Sequence, residues 1–112
     1  MLPSQPRRRK KNQADTVVFR RWRDNGDIIA LFPALPADLY GEYCDAYEHV
    51  GQHGGADYHG VVQHTKPCSL DDAADLATEL TRIGYILRPI KRASRTHHEA
   101  RRQLASDLRR TM

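Results

Sequence analysis

His49-Val50-Gly51-Gln52-His53-Gly54-Gly55-Ala56-Asp57-Tyr58-His59-Gly60 holds the choice that decides how this chain folds. Four of the six histidines lie between His49 and His64, and four of the seven glycines between Gly51 and Gly60, so imidazoles and permissive backbone coincide only here. Glycines set between two β-prone runs favour a bend that turns the chain back on itself. The spacing therefore predicts a hairpin, with one strand over 42–50 and a second over 58–64. Tyr40, Tyr43 and Tyr47 also fit the spacing of one helical face, which keeps a helix as the competing reading. With Val50 opposite Asp57, the hairpin register sets His49 against Tyr58, Glu48 against His59 and Tyr43 against His64. One face then carries Tyr43, Asp45, Tyr47, His49, Tyr58 and His64 toward solvent, and the other turns Cys44, Ala46, Val50 and Val61 into the core. A slip of one residue reverses that partition.

Upstream, Thr16 to Trp22 is rich in β-formers and Ile28 to Phe32 is apolar throughout, with Asn25-Gly26 between them. Asn-Gly between β-prone runs is the strongest short-range hairpin signal, because its turn needs positive φ. Strands are expected near 16–23 and 27–32, the second an inner strand since both its faces are apolar. Pro33 and Pro36 should take the chain out of the sheet, for proline offers no amide to a ladder.

Downstream, Ser69 stands ahead of Asp71 and Asp72 as a helix cap followed by first-turn carboxylates. Leu70, Ala73, Leu76, Ala77, Leu80 and Ile83 mark the apolar stripe of the principal helix, and Gly84 closes it. A strand over 85–90 follows, with Pro89 at its edge or end. Thr96-His97-His98-Glu99 has the form of a capping box and opens a last, basic helix. Its stripe of Ala100, Leu104 and Leu108 is narrow, so this helix is expected to dock weakly or onto a partner subunit.

The expected fold is α+β: a mostly antiparallel sheet from two hairpins plus one later strand, one principal helix packed on it, and a C-terminal basic helix. It divides as residues 1–14, a disordered basic tail; 15–92, a small α+β domain; and 93–112, the basic helix. A chain of 112 residues with 39% hydrophobic content suits one modest core. It has no long apolar run, and no apolar segment follows the basic residues at the N-terminus. Neither a membrane span nor a secretory signal is expected, and a cytoplasmic location follows. Cys44 and Cys68 are too few for a disulfide framework and read as reduced, partly buried thiols.

Charge is segregated. Residues 1–23 hold eight Lys/Arg and one acid, residues 24–79 one Lys and eleven acids, and residues 80–112 nine Lys/Arg and two acids. Basic ends around an acidic middle suggest a polyanion or a mixed-charge protein surface as partner, though such ends also serve merely to solubilise. The run Arg7, Arg8, Arg9, Lys10 and Lys11 can contact nucleic acid without sequence preference, and Arg101 and Arg102 extend that contact from the last helix.

Ala30-Leu31-Phe32-Pro33, then His49-Val50-Gly51-Gln52-His53-Gly54 with Ala56-Asp57-Tyr58, and Ile83-Gly84-Tyr85 after a helix resemble a family of small uncharacterised proteins carried by bacterial plasmids, prophages and phages. The resemblance covers about residues 16–92 and leaves both basic ends outside it. It implies a mobile-element setting and supplies no catalytic residue.

The candidate binding residues are Tyr43, Tyr47, His49, His53, Tyr58 and His64, whose rings suit stacking and hydrogen bonding to phosphate or carboxylate groups. Gly51, Gly54 and Gly55 would let backbone amides approach an anion. No cofactor is expected. The alternative is a Zn or other transition-metal site over His49, His53, His59 and His64, at a spacing that matches no standard motif. A structural role competes with both, in which His49 and His53 hold the turn through backbone carbonyls. The favoured function is a non-catalytic binding module for a protein or nucleoprotein partner, such as an anti-defence inhibitor or adaptor. The alternative is a His- or metal-dependent phosphoryl or nucleotide hydrolase.

Overall fold

The computed structural model describes residues 14–48 and 52–112. Strand β1 (Asp15–Trp22) and strand β2 (Ile28–Pro36) form the expected first hairpin, paired antiparallel through Val18↔Leu31, Phe19↔Ala30, Arg20↔Ile29 and Arg21↔Ile28. Trp22 N–H donates to the Asp27 carbonyl at 2.8 Å, and Gly26 closes the turn at φ +79°. Positive φ there is the conformation for which glycine carries no steric penalty.

β2 runs further than expected. Instead of leaving the sheet at Pro33, the chain stays on β3 (Cys44–Glu48) through Phe32↔Asp45, shifts register, and pairs again at Pro36↔Cys44. A bulge leaves residues out of the ladder, so the missing proline amide costs nothing there.

The decisive stretch folds differently from the expected hairpin. β3 does return antiparallel, but its partner β4 (Gln52–Ala56) is the glycine-rich segment itself, in the register Tyr47↔His53, Ala46↔Gly54 and Cys44↔Ala56. Residues 58–64, expected as a strand, form helix α1 (Tyr58–His64). The reason lies in Tyr58, Val61 and Val62, spaced i, i+3, i+4: the helical period turns all three onto one apolar cluster.

Strand β5 (Thr65–Pro67), helix α2 (Ala74–Arg82), strand β6 (Leu87–Pro89) and helix α3 (Arg95–Arg110) complete the chain. The sheet order is β4-β3-β2-β1-β5, with β6 also on β1 as the parallel pair, so it is mostly antiparallel and β2 is an inner strand. Ser69 caps the turn leading into α2 by accepting the Asp72 N–H at 3.0 Å, and Gly84 ends it at φ +117°. Ala73, Leu76 and Leu80 are buried, while Leu70 and Ile83, at the two ends of the expected stripe, are exposed.

Both faces of the sheet are covered. Val17, Phe19, Ala30, Phe32 and Tyr47 pack with Ala73, Leu76, Leu80 and Tyr85 on one side. Val18, Ile29, Leu31, Cys44, Ala46 and Ala56 pack with Tyr58 on the other. Two buried faces explain why β2 is a continuous apolar run and why Val17, Val18 and Phe19 stand together in β1. α3 lies against β2, and its buried residues are His98, Arg101 and Ala105 rather than the stripe Ala100, Leu104 and Leu108. It opens at Ser94, two residues before the expected box, where Ser94 N–H donates to His97 Nδ1 at 2.9 Å.

Candidate binding surfaces

The expected exposed face of rings is not assembled. Tyr47 is only 2% exposed, within the core beneath α2, and its hydroxyl donates to the Glu79 carboxylate. Tyr58 is buried on the opposite side of the sheet, its hydroxyl accepting the Ala93 N–H at 2.8 Å. Two packings account for this: α2 covers the face that carries Tyr47, and a helix over 58–64 removes the register that would have aligned Tyr58 and His64 with Tyr43 and Tyr47. His53 is partly buried on β4, edge-on to the Tyr47 ring at 4.6 Å between centroids. Burial holds its imidazole below the ordinary histidine range, so it is neutral at pH 7. His64 is exposed at the end of α1 and donates from Nδ1 to the Gly60 carbonyl at 2.8 Å. Tyr43 is exposed in the loop before β3, and His49 lies outside the described residues.

The alternative metal set is likewise dispersed. His59 faces His98 of α3 at 5.2 Å between ring centroids, His64 caps its own helix and His53 sits on β4. Among the described residues, no three His, Cys, Asp or Glu side chains come together around one point.

The basic residues divide in the same way. Arg7 to Lys11 lie outside the described residues. Arg102 is exposed, as nucleic-acid contact requires, whereas Arg101 is 4% exposed and turned inward. Arg101 Nε donates to the Gly41 carbonyl at 2.7 Å, and its Nη1 donates to the Pro33 carbonyl at 2.9 Å and to His98 Nδ1 at 2.7 Å. A guanidinium offers five donors in a rigid fork, which suits a site where several carbonyls converge. The arginine therefore pins α3 onto the bulged end of β2. Because His98 Nδ1 accepts, its ring carries the proton on Nε2. Burial, then the nearby Arg101, His59, Arg102 and His97, keep its pKa below the ordinary range.

What Arg101 holds is the loop 37–43, and this loop carries a surface of which the sequence singles out Tyr43 and Arg102 but not Leu39, Tyr40 or Arg109. Asp38 Oδ1 accepts the Tyr43 N–H at 2.8 Å, and Ala37 N–H donates to the Tyr43 carbonyl at 2.9 Å. Gly41, at φ +74°, presses against Ala105 and the α3 backbone, so close that an added Cβ would lie 3.1 Å from Arg102 Cα. Arg109 then reaches over the loop: it donates to the Leu39 carbonyl at 2.8 Å, and its guanidinium lies 4.6 Å from the centre of the Tyr40 ring. A fixed loop thus presents Tyr40, 61% exposed, with Leu39 and Tyr43 also exposed, beside Arg102 and Arg109. Glu42 is the exposed acid among them. Elsewhere on α3, Arg95 pairs with Glu99 and Arg110 with Asp107. One signal could have found this surface: two tyrosines beside a Pro-rich turn, too polar in their surroundings to be core.

The geometry defines an α+β sheet domain with an exposed aromatic loop buttressed by a basic helix. Compared with protein-family models, curated proteins and solved structures, the chain matches none.

Proposed function

We propose that the chain is a non-catalytic binding module that engages a nucleoprotein partner, touching single-stranded nucleic acid through Tyr40, Tyr43, Arg102 and Arg109. The observation that carries this reading is the cation–π contact of Arg109 on Tyr40, on a ring still 61% exposed. A tyrosine ring fixed in this way can stack on an unpaired base, while the adjacent guanidinium groups meet the backbone phosphates. Stacking tolerates any base, so the contact is sequence-tolerant, and the phosphate part weakens with salt. The basic run Arg7 to Lys11 would add charge to the same encounter. In the mobile-element setting that the resemblance implies, such a module would act as an adaptor or inhibitor against a host nucleoprotein system.

The test is fluorescence anisotropy with a labelled twenty-nucleotide single strand at several salt concentrations. Affinity should fall steeply with salt, and the Y40A/Y43A pair should lower it about 10- to 100-fold, the loss expected for removing stacking on one or two bases. R102Q/R109Q should also weaken binding and flatten the salt dependence. Binding that Y40A/Y43A leaves unchanged would remove the loop from the interface, and no binding at low salt would end the reading.

A further inference from the structure

The face of the sheet that packs with Tyr58 of α1 contains a groove that the nucleic-acid contact does not use. It measures about 390 Å³ and lies across β3 and β4. Its floor is made of small residues: Ala46 on β3, with Gly54 and Ala56 on β4. Trp22, Ile29 and Glu48 form one wall, and Asp57 and Val61 the other. The floor is low because Gly54 has no side chain, and a Cβ built there meets no atom within 4 Å.

Two features fix the chemistry of an occupant. The first is charge. Glu48 accepts the Trp22 indole N–H at 2.8 Å through one carboxylate oxygen, and its second oxygen has no partner among the described residues. Asp57 is exposed, and its carboxylate makes no hydrogen bond or ion pair among the described residues. An indole and two carboxylates around an apolar floor suit a guanidinium or ammonium group on an aliphatic stem. The second feature is the backbone. β4 is the terminal strand of the sheet, and among the described residues no strand pairs with its outer side. An edge strand offers unpaired N–H and C=O groups to an incoming extended chain, and Gly54 at its centre stands in open space, whereas Gly55 is closed over on the other face by Ala37 and Tyr43.

We propose that the outer edge of β4 and this groove together dock an extended, basic segment of a partner protein, added as a further strand with one Arg or Lys side chain lying over Gly54 between Glu48 and Asp57. Main-chain bonds to β4 supply the general affinity, and the acidic groove selects the cationic side chain. None of Tyr40, Tyr43, Arg102 and Arg109 lines the groove, so a module of this kind can hold a protein and a nucleic acid at once.

Trp22 is the one tryptophan of the chain and lines the groove, so its emission reports occupancy directly. The probe is an acetylated and amidated six-residue peptide of alternating threonine and valine with a central arginine, titrated into the full-length protein. A saturable change in Trp22 emission is expected, at least tenfold weaker when the arginine is replaced by glutamate. E48Q/D57N should also weaken binding at least tenfold. Gly54→Val should abolish it while the melting temperature stays level or rises, because valine fills open space and favours a strand. Three results would overturn the proposal. One is equal binding of the glutamate peptide. Another is a change in Trp22 emission when Arg7 to Lys11 are replaced by glutamine, which would mean that the chain's own basic run fills the groove. The last is a mass of two copies in sedimentation, reduced to one by Gly54→Val, which would mean that a second copy does.

Discussion

Arg101 is the residue on which the placement of α3 turns, and its role is opposite to the one its charge suggests. A cation in a basic helix reads as a surface group, yet this one is desolvated and bound to the carbonyls of Gly41 and Pro33. Hydrogen bonds from a charged donor are worth more than neutral ones, and removing the donor leaves buried acceptors unsatisfied. Arg101→Met, which keeps most of the volume, should cost about 2–4 kcal/mol in chemical denaturation. A variant within about 0.5 kcal/mol of the parent would show that water replaces the guanidinium there without loss. Gly41 is bound into the same joint. Its positive φ and its closeness to the α3 backbone predict that Gly41→Ala loses about 1–3 kcal/mol and detaches the loop, which a drop in nucleic-acid affinity would report.

At the scale of elements, α2 shows what local chemistry can settle. Ser69, the paired aspartates and Gly84 mark its ends, and the Tyr85 N–H bond to the Leu80 carbonyl at 3.1 Å closes it as a left-handed glycine permits. Gly84→Ala should therefore lower stability by about 1 kcal/mol, which a thermal melt would read as a fall of roughly 4–8 °C. The first hairpin was legible for the same reason: Asn25-Gly26 is a turn by its own conformational preference. The glycine-rich segment was not legible. Gly54 and Gly55 read as a turn because glycine weakens strands, but pairing with β3 overrides that preference. Once β4 starts at Gln52, residues 58–64 lie beyond the hairpin, and Tyr58, Val61 and Val62 follow their helical spacing instead. The candidate site suffered most, since its ring alignment depended on that one register. The buried arginine was equally hidden, because its carbonyl partners on Gly41 and Pro33 lie 60 and 68 residues away, and the bulged prolines were hidden because the ladder resumes at Pro36↔Cys44 only after a shift of register.

For the whole molecule, His53 and His98 together predict how stability responds to pH. His98 and His53 are both held below the ordinary histidine range, chiefly by burial, so the folded chain keeps them neutral. Among the described residues the charges that act on His98 are Arg101, Arg102 and His97 on its own helix and His59 on α1, so protonating it adds repulsion to the cost of burial. The unfolded chain binds these protons near the unperturbed value of about 6.5, before the folded chain does. Stability must therefore be fully present above that pH and decline as pH falls through it toward the depressed folded values, since the unfolded state then carries more protons. Urea midpoints measured between pH 7.5 and 5 should fall in the parent protein. His98→Gln, which keeps a group able to accept from Arg101, should flatten the fall, and adding His53→Gln should flatten it further. Parallel curves for parent and double variant would place the response in other groups and leave the two imidazoles without energetic consequence. The decline should also track the joint between α1 and α3, because His98 packs edge-on against Tyr58 at 5.0 Å and beside His59. Amides of α3 should then exchange with solvent faster at pH 5 than the opening of β1 and β2 accounts for, since helix ends and edges open before a central hairpin does.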